Sequence, residues 1–222
     1  MIEKFNLTEQ ELQQNYQEFI DFVSNVFSGE RKENLLKMYS TDDGCLGISL
    51  CSSPASLNEN YHLSYPGGYL QHIMNVVKTS FAVKKLFQIS ECNIDFTDEE
   101  MVFAALHHDL GKLGDSEFGD NYVPQDEEWK AKKGEVYKIN PSLPFMDVSD
   151  RAVYTLQKYG VKYTWKEFLG IKLADGMYNQ PNDRYLKQFN LDFILKTNLP
   201  KVIHLADYIS CCGEKDRWKN QN

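Results

Sequence analysis

The chain has 222 residues, a net charge of −8 and an aliphatic and aromatic content ordinary for a soluble protein, enough for one domain with a sizeable core. Its longest unbroken apolar run, Met101–Leu106, is six residues against about 20 for a membrane-spanning helix, and the opening MIEKFNLTEQ lacks the layout of a secretory leader, so a cytoplasmic protein with no membrane partner is expected. The acidic balance disfavours broad nucleic-acid binding, and five cysteines without a C-x-x-C pair argue against a disulfide framework or a zinc ribbon.

Periodicity and end signals predict helices near 8–27, 30–39, 68–88, 98–110, 149–159, 165–178, 182–196 and 199–212. Thr8 with Glu11, Thr97 with Glu100 and Thr164 with Glu167 fit the reciprocal capping box. Gly111, Gly160 and Gly213 follow periodic stretches and suit left-handed helix ends. The amphipathic stretch TEQELQQNYQEFIDFVSNVF is expected to cap the bundle, with a homo-oligomer contact as the alternative. Two-residue alternation is confined to about 120–140, where KKGE suits the turn of a short hairpin. The expected class is all-α, with a small β-hairpin-like insertion.

The helix over 68–88 has one narrow polar wedge, Gln71, Asn75, Lys78 and Lys85, and is otherwise apolar. His72 lies outside the wedge, where an ordinary hydrogen-bonded core histidine is the plain alternative to a ligand. In AALHHDLGKLGD, Met101, Ala104, Ala105, His108 and Lys112 share a face at 3.6 residues per turn. Asp109 sits beside that face, while His107 is rotated by about 100° and suits packing. The two alanines leave room for a neighbouring helix, and Gly111 lets Lys112 turn back. On the helix over 199–212, His204, Asp207 and Cys211 share a face, and Asp207 is costly among apolar residues unless it is paired or metal-bound. Two imidazoles and two carboxylates suit one divalent ion, Mn²⁺, Ni²⁺, Co²⁺, Fe²⁺ or Mg²⁺.

These residues resemble the H…HD…D signature of the HD-domain phosphohydrolases, as His72, His108-Asp109 and Asp207. HLSYPGGYLQHIMNVV, LHHDLGK and IHLADYIS are similar to stretches of the 3′–5′ exoribonuclease-type members, over about 60–212. The resemblance implies an HD-domain helical bundle over 60–213 with an insertion at about 119–148. A helical extension, 1–59, precedes it and a tail, 214–222, follows it. It also implies a metal-dependent hydrolysis of a phosphate ester. His72, His108, Asp109 and Asp207 would hold the ion, and Lys112 would meet the phosphate.

His204 or His62 would give a proton to the leaving oxygen, and Asp175 and Tyr65 would contact substrate. The chain departs from the family in two ways. No histidine lies between His108 and His204, where two-metal members carry a pair, so Asp175 stands in and one metal is expected. Nothing before residue 60 alternates like the OB-fold of the exoribonucleases. A small nucleotide or short oligonucleotide is therefore the expected substrate, with a catalytically weak nucleotide-binding or regulatory module as the alternative.

Overall fold

The computed structural model describes residues 1, 6–190 and 192–221. Its described residues form ten α-helices and one two-stranded antiparallel sheet, the all-α class with a small hairpin. The helices are α1 (Glu9–Val26), α2 (Gly29–Met38), α3 (Gly47–Ser52), α4 (Gly68–Ile89), α5 (Asp98–His107), α6 (Glu128–Ala131), α7 (Val148–Lys158), α8 (Trp165–Lys172), α9 (Asp183–Leu186) and α10 (Leu199–Gln221). No helix of the described residues is long and apolar enough to cross a membrane.

All three capping boxes form, at the starts of α1, α5 and α8. Each satisfies two backbone groups that a helix end otherwise leaves bare. The central layer is α4 against α5 and α10, with α8 closing the other side of α5 and α10. Ala104 of α5 meets Gly170 of α8 so closely that a methyl group on Gly170 would stand 2.8 Å from the Ala104 Cβ. This is the close neighbour that the alanine pair allows.

Helices α1, α2 and α3 share the main core. Phe19, Val23, Leu35, Met38, Tyr39, Leu46 and Leu50 are buried in one continuous cluster with α4, α5 and α10. Arg31 clasps the wholly buried Glu167 through two hydrogen bonds of 2.7 and 3.1 Å, and its guanidinium lies 4.7 Å from the centre of the Phe103 ring. That pairing compensates a carboxylate that burial alone would make costly.

Several sequence expectations shift. The helix expected over 182–196 is realised among the described residues only as α9, and two of its apolar residues, Phe189 and Phe193, are 93% and 71% exposed; residue 191 lies outside the described residues. A helix that buries no face has little to hold it. The helix expected over 165–178 stops at Lys172 and gives way to a 3₁₀ turn, Gly176–Tyr178. The hairpin forms between β1 (Tyr122–Pro124) and β2 (Tyr137–Ile139), but α6 lies between the strands, so KKGE is not their tight turn.

On α4 the polar wedge is not the solvent face throughout. Gln71 is buried and Asn75 turns inward, while Phe81, Leu86 and Ile89 are exposed. Of the three glycines read as left-handed stops, only Gly160 has that conformation (φ +69°), and α10 runs through Gly213.

Candidate metal centre

His72 rises from the first turns of α4, His108 follows the last residue of α5, and Asp207 projects from the middle of α10. The chain behind His108 tightens into a 3₁₀ turn, Leu110–Leu113, with the Lys112 amide donating to the Asp109 carbonyl at 2.8 Å. Gly111 is required there: a methyl group would stand 2.1 Å from the Val148 carbonyl oxygen. Its role is close packing against the start of α7, and the left-handed residue is Gly114, at φ +92°. This tight turn brings Lys112 Nζ to 2.6 Å from Asp109 Oδ2.

The four residues of the H…HD…D pattern converge. His72 Nε2 lies 3.5 Å from Asp109 Oδ2 and 3.2 Å from Asp207 Oδ1, and His108 Nε2 lies 3.5 and 3.8 Å from the same two oxygens. Each imidazole is oriented from behind. His72 Nδ1 meets Glu214 Oε2 at 3.0 Å, and His108 Nδ1 meets the Ala105 carbonyl at 2.8 Å. Those acceptors place a proton on each Nδ1. Each Nε2 therefore faces the centre, and both are buried without a hydrogen bond.

Buried polar atoms are rarely left so. Two imidazole nitrogens, each within 3.8 Å of both an Asp109 and an Asp207 oxygen, form with them a donor set suited to a divalent cation. His72, His108 and Asp109 offer ligand atoms that all lie within 4.8 Å of one another.

Electrostatics fit the same picture. Burial pushes the Asp109 carboxyl up, but Lys112 and His108 outweigh it and hold it well below the usual range. Burial opposes ionisation of Asp207 too, and His108 and His72 overcome it. Burial disfavours the charged His108, but Asp109 and Asp207 raise its pKa to about 9. For His72 the opposing charges, Glu214 foremost, also prevail over burial and raise it well above the usual value. Three acids, Asp109, Asp207 and Glu214, thus balance three bases, His72, His108 and Lys112. One divalent cation in place of the two imidazolium protons keeps that balance.

Around this centre lies a cleft of about 650 Å³ whose wall includes Lys112, Asp175, His62, His204, Tyr178 and Tyr208. His204 Nδ1 meets the Ala174 carbonyl at 2.7 Å. His62 stands with its ring 5.0 Å from that of His72, and burial, then His72 and Lys112, lower its pKa to about 4. Tyr65 lies elsewhere. It is buried with Ala55 and Leu63, and its hydroxyl donates to Gln71 at 2.8 Å.

His107 is packed between Phe103 and Tyr39, its Nδ1 on the Phe103 carbonyl at 2.6 Å, and burial lowers its pKa to about 3. The triple His107-His108-Asp109 therefore separates into one packing residue and two cage residues.

One residue of the site escapes the sequence reading. Glu214, fully buried, accepts from His72 and, at 2.8 Å, from Asn75 Nδ2. Its signal is present: Asp207, Cys211 and Glu214 follow one another by four and three on α10, and a stop at Gly213 hides it. Cys211 donates to Asp207 Oδ1 at 3.4 Å, and its sulfur is 3.7 Å from His62 Nε2. No protein-family model, curated protein or solved structure matches the chain.

Proposed function

We propose that the protein is a metal-dependent phosphohydrolase that cleaves a phosphate ester of a nucleotide or short oligonucleotide in the cytoplasm. The observation that carries this reading is the convergence of the buried Nε2 atoms of His72 and His108 on the carboxylates of Asp109 and Asp207, at 3.2 to 3.8 Å. His72, His108, Asp109 and Asp207 would hold the ion. A divalent cation held there would supply Lewis acidity toward a phosphate oxygen and a water.

The side chains around it have distinct tasks. The Lys112 ammonium, against Asp109 and open to the cleft, binds a phosphate oxygen and offsets the charge that grows on it. Asp109 fixes that ammonium, so its position does not depend on substrate. His204, held through Nδ1 by the Ala174 carbonyl, lines the cleft and would exchange a proton with the leaving oxygen. Burial, then His72 and Lys112, lower the His62 pKa to about 4, so it holds a proton poorly and does not suit the donor role. The donor role therefore falls to His204. Asp175 lines the cleft beside Lys112 and suits a ribose hydroxyl or a cation-bound water.

The test is metal content followed by phosphate release. Nucleoside mono-, di-, tri- and cyclic phosphates and a short oligonucleotide are presented with Mn²⁺, Co²⁺, Ni²⁺ or Mg²⁺. Turnover that requires the cation and is lost in Asp109→Ala supports the proposal. A protein that binds metal and a nucleotide tightly but turns over no member of the panel is a binding module instead.

A further inference from the structure

Cys211 lies on α10 four residues after Asp207, and two ligand atoms flank its sulfur. Asp207 Oδ1 is at 3.4 Å, and His62 Nε2, from the loop before α4, is at 3.7 Å. A thiol has one hydrogen and cannot donate to both. The two distances match a different arrangement. Around a tetrahedral zinc ion, with sulfur at about 2.3 Å and nitrogen or oxygen at about 2.0–2.2 Å, a sulfur ligand stands about 3.5 Å from a neighbouring nitrogen or oxygen. Ligand atoms of His62, His72, Cys211 and Glu214 also lie within 4.8 Å of one another.

The backbone under these groups is fixed from two directions. Ser56 Oγ donates to the His62 carbonyl at 2.7 Å, and the Ala55 amide donates to the Leu63 carbonyl at 2.9 Å, which pins the loop. Asp207 and Cys211 are about one turn apart, so a single stretch of α10 presents both. Glu214 is already engaged by His72 and Asn75, which leaves Asp207 as the carboxylate for this group. His72 and His108 are committed too, with Nδ1 held from behind and Nε2 facing Asp109 and Asp207. Solvent reaches His62 and Cys211 through a pocket of about 330 Å³ between Tyr61, Tyr208 and Lys215, the entry path that an ion needs.

We propose that His62, Cys211 and Asp207 form a second metal site, for a thiophilic divalent cation such as Zn²⁺ or Co²⁺, beside the first centre and sharing Asp207 with it. Binding breaks the S–H bond of Cys211: the sulfur keeps the electron pair and bonds the ion, and the proton leaves to solvent. Nothing is oxidised or reduced. A thiolate with an imidazole selects Zn²⁺ or Co²⁺ over Mg²⁺ and Mn²⁺, whereas the nitrogen and oxygen donors of the first centre also suit the harder ions. Asp207 has two carboxylate oxygens and serves both. This site goes beyond the phosphohydrolase reading and does not depend on it.

The experiment loads the full chain with Zn²⁺, Mn²⁺ or Co²⁺, removes free ion and counts the metal per chain, with absorbance recorded for Co²⁺. The unaltered protein should hold two Zn²⁺ but one Mn²⁺. Cys211→Ser and His62→Gln should each drop to one Zn²⁺ and keep one Mn²⁺. With Co²⁺, the charge-transfer band of a cobalt–thiolate bond should appear in the unaltered protein and be missing from Cys211→Ser. His108→Ala removes a ligand of the first centre alone, so it should lose Mn²⁺ and keep one Zn²⁺ and the cobalt–thiolate band.

One Zn²⁺ per chain in the unaltered protein overturns the second site. If the thiolate band accompanies that single ion, Cys211 is a ligand of the first centre instead. Two Zn²⁺ retained in both Cys211→Ser and His62→Gln overturns the assignment as well. The hydrolase reading fails separately. Two Zn²⁺ with no turnover of any phosphate ester leaves the second site standing and removes the hydrolase, and cation-dependent turnover with one Zn²⁺ removes the second site and leaves the hydrolase.

Discussion

Glu214 accepts a hydrogen bond from His72 Nδ1 at 3.0 Å, joining the last helix to the fourth across 142 positions of chain. This buried carboxylate fixes the tautomer of His72 and aims its Nε2 at Asp109 and Asp207. A negative partner behind a metal-binding imidazole also strengthens the imidazole as a donor.

Glu214→Gln keeps an acceptor at that place and removes the charge. Metal affinity is expected to fall by about 10- to 100-fold while the fold is retained. Competition with a chelating dye measures it. An unchanged affinity would mean that Glu214 does nothing for the centre.

The convergence of His72, His108, Asp109 and Asp207 was legible because His72 and Asp207 lie on helices α4 and α10 and His108 and Asp109 follow directly on α5, so helix geometry decides which side chains face inward. Glu214 was hidden by one local signal, Gly213, read as a stop. Tertiary packing of α10 overrides that glycine, as it commonly does a propensity of about 1 kcal/mol. The converse failure is the segment over 182–196, where a helical pattern meets no surface to bury its phenylalanines. Six-residue α3 carries too few turns for a period to show. Only the fold shows the Tyr65 hydroxyl donating to Gln71.

Cation binding should be coupled to proton release. In the metal-free protein His108 has a pKa of about 9 and His72 lies well above its usual value, so both imidazoles are charged at neutral pH. A divalent cation displaces those protons. Calorimetry at pH 7 in buffers of different ionisation enthalpy should show one to two protons released per cation, and no release would contradict the account.

The same shift sets a sign for stability. A raised folded-state pKa contributes stability that is complete below about 6.5 and is lost as pH rises through about 9. The Tm of chelated protein should therefore fall across that window, and added cation should restore it.

Gly111→Ala should destabilise the protein by about 2–3 kcal/mol, because the new methyl group meets the Val148 carbonyl, a backbone atom that cannot rotate away. The displaced turn carries Lys112 and follows Asp109, so metal retention should weaken too. Urea unfolding checks the first effect, and a stability equal to that of the unaltered protein would refute the packing argument.

Arg31→Ala leaves Glu167 buried and without its main cationic partner, since its oxygens accept from Arg31 at 2.7 and 3.1 Å. A loss of about 3 kcal/mol is expected. The double variant Arg31→Met with Glu167→Leu should recover much of it. If the single and double variants are equally unstable, apolar contact and not charge pairing joins α2 to α8.

Metal stoichiometry in five purified proteins, measured by elemental analysis after loading with Mn²⁺ and removal of free ion, tests the central claim most directly. The account predicts one ion per chain in the unaltered protein and in His107→Phe, and none in His72→Ala, His108→Ala or Asp207→Ala, all folded by circular dichroism. Full retention of the ion in those three alanine variants would contradict it.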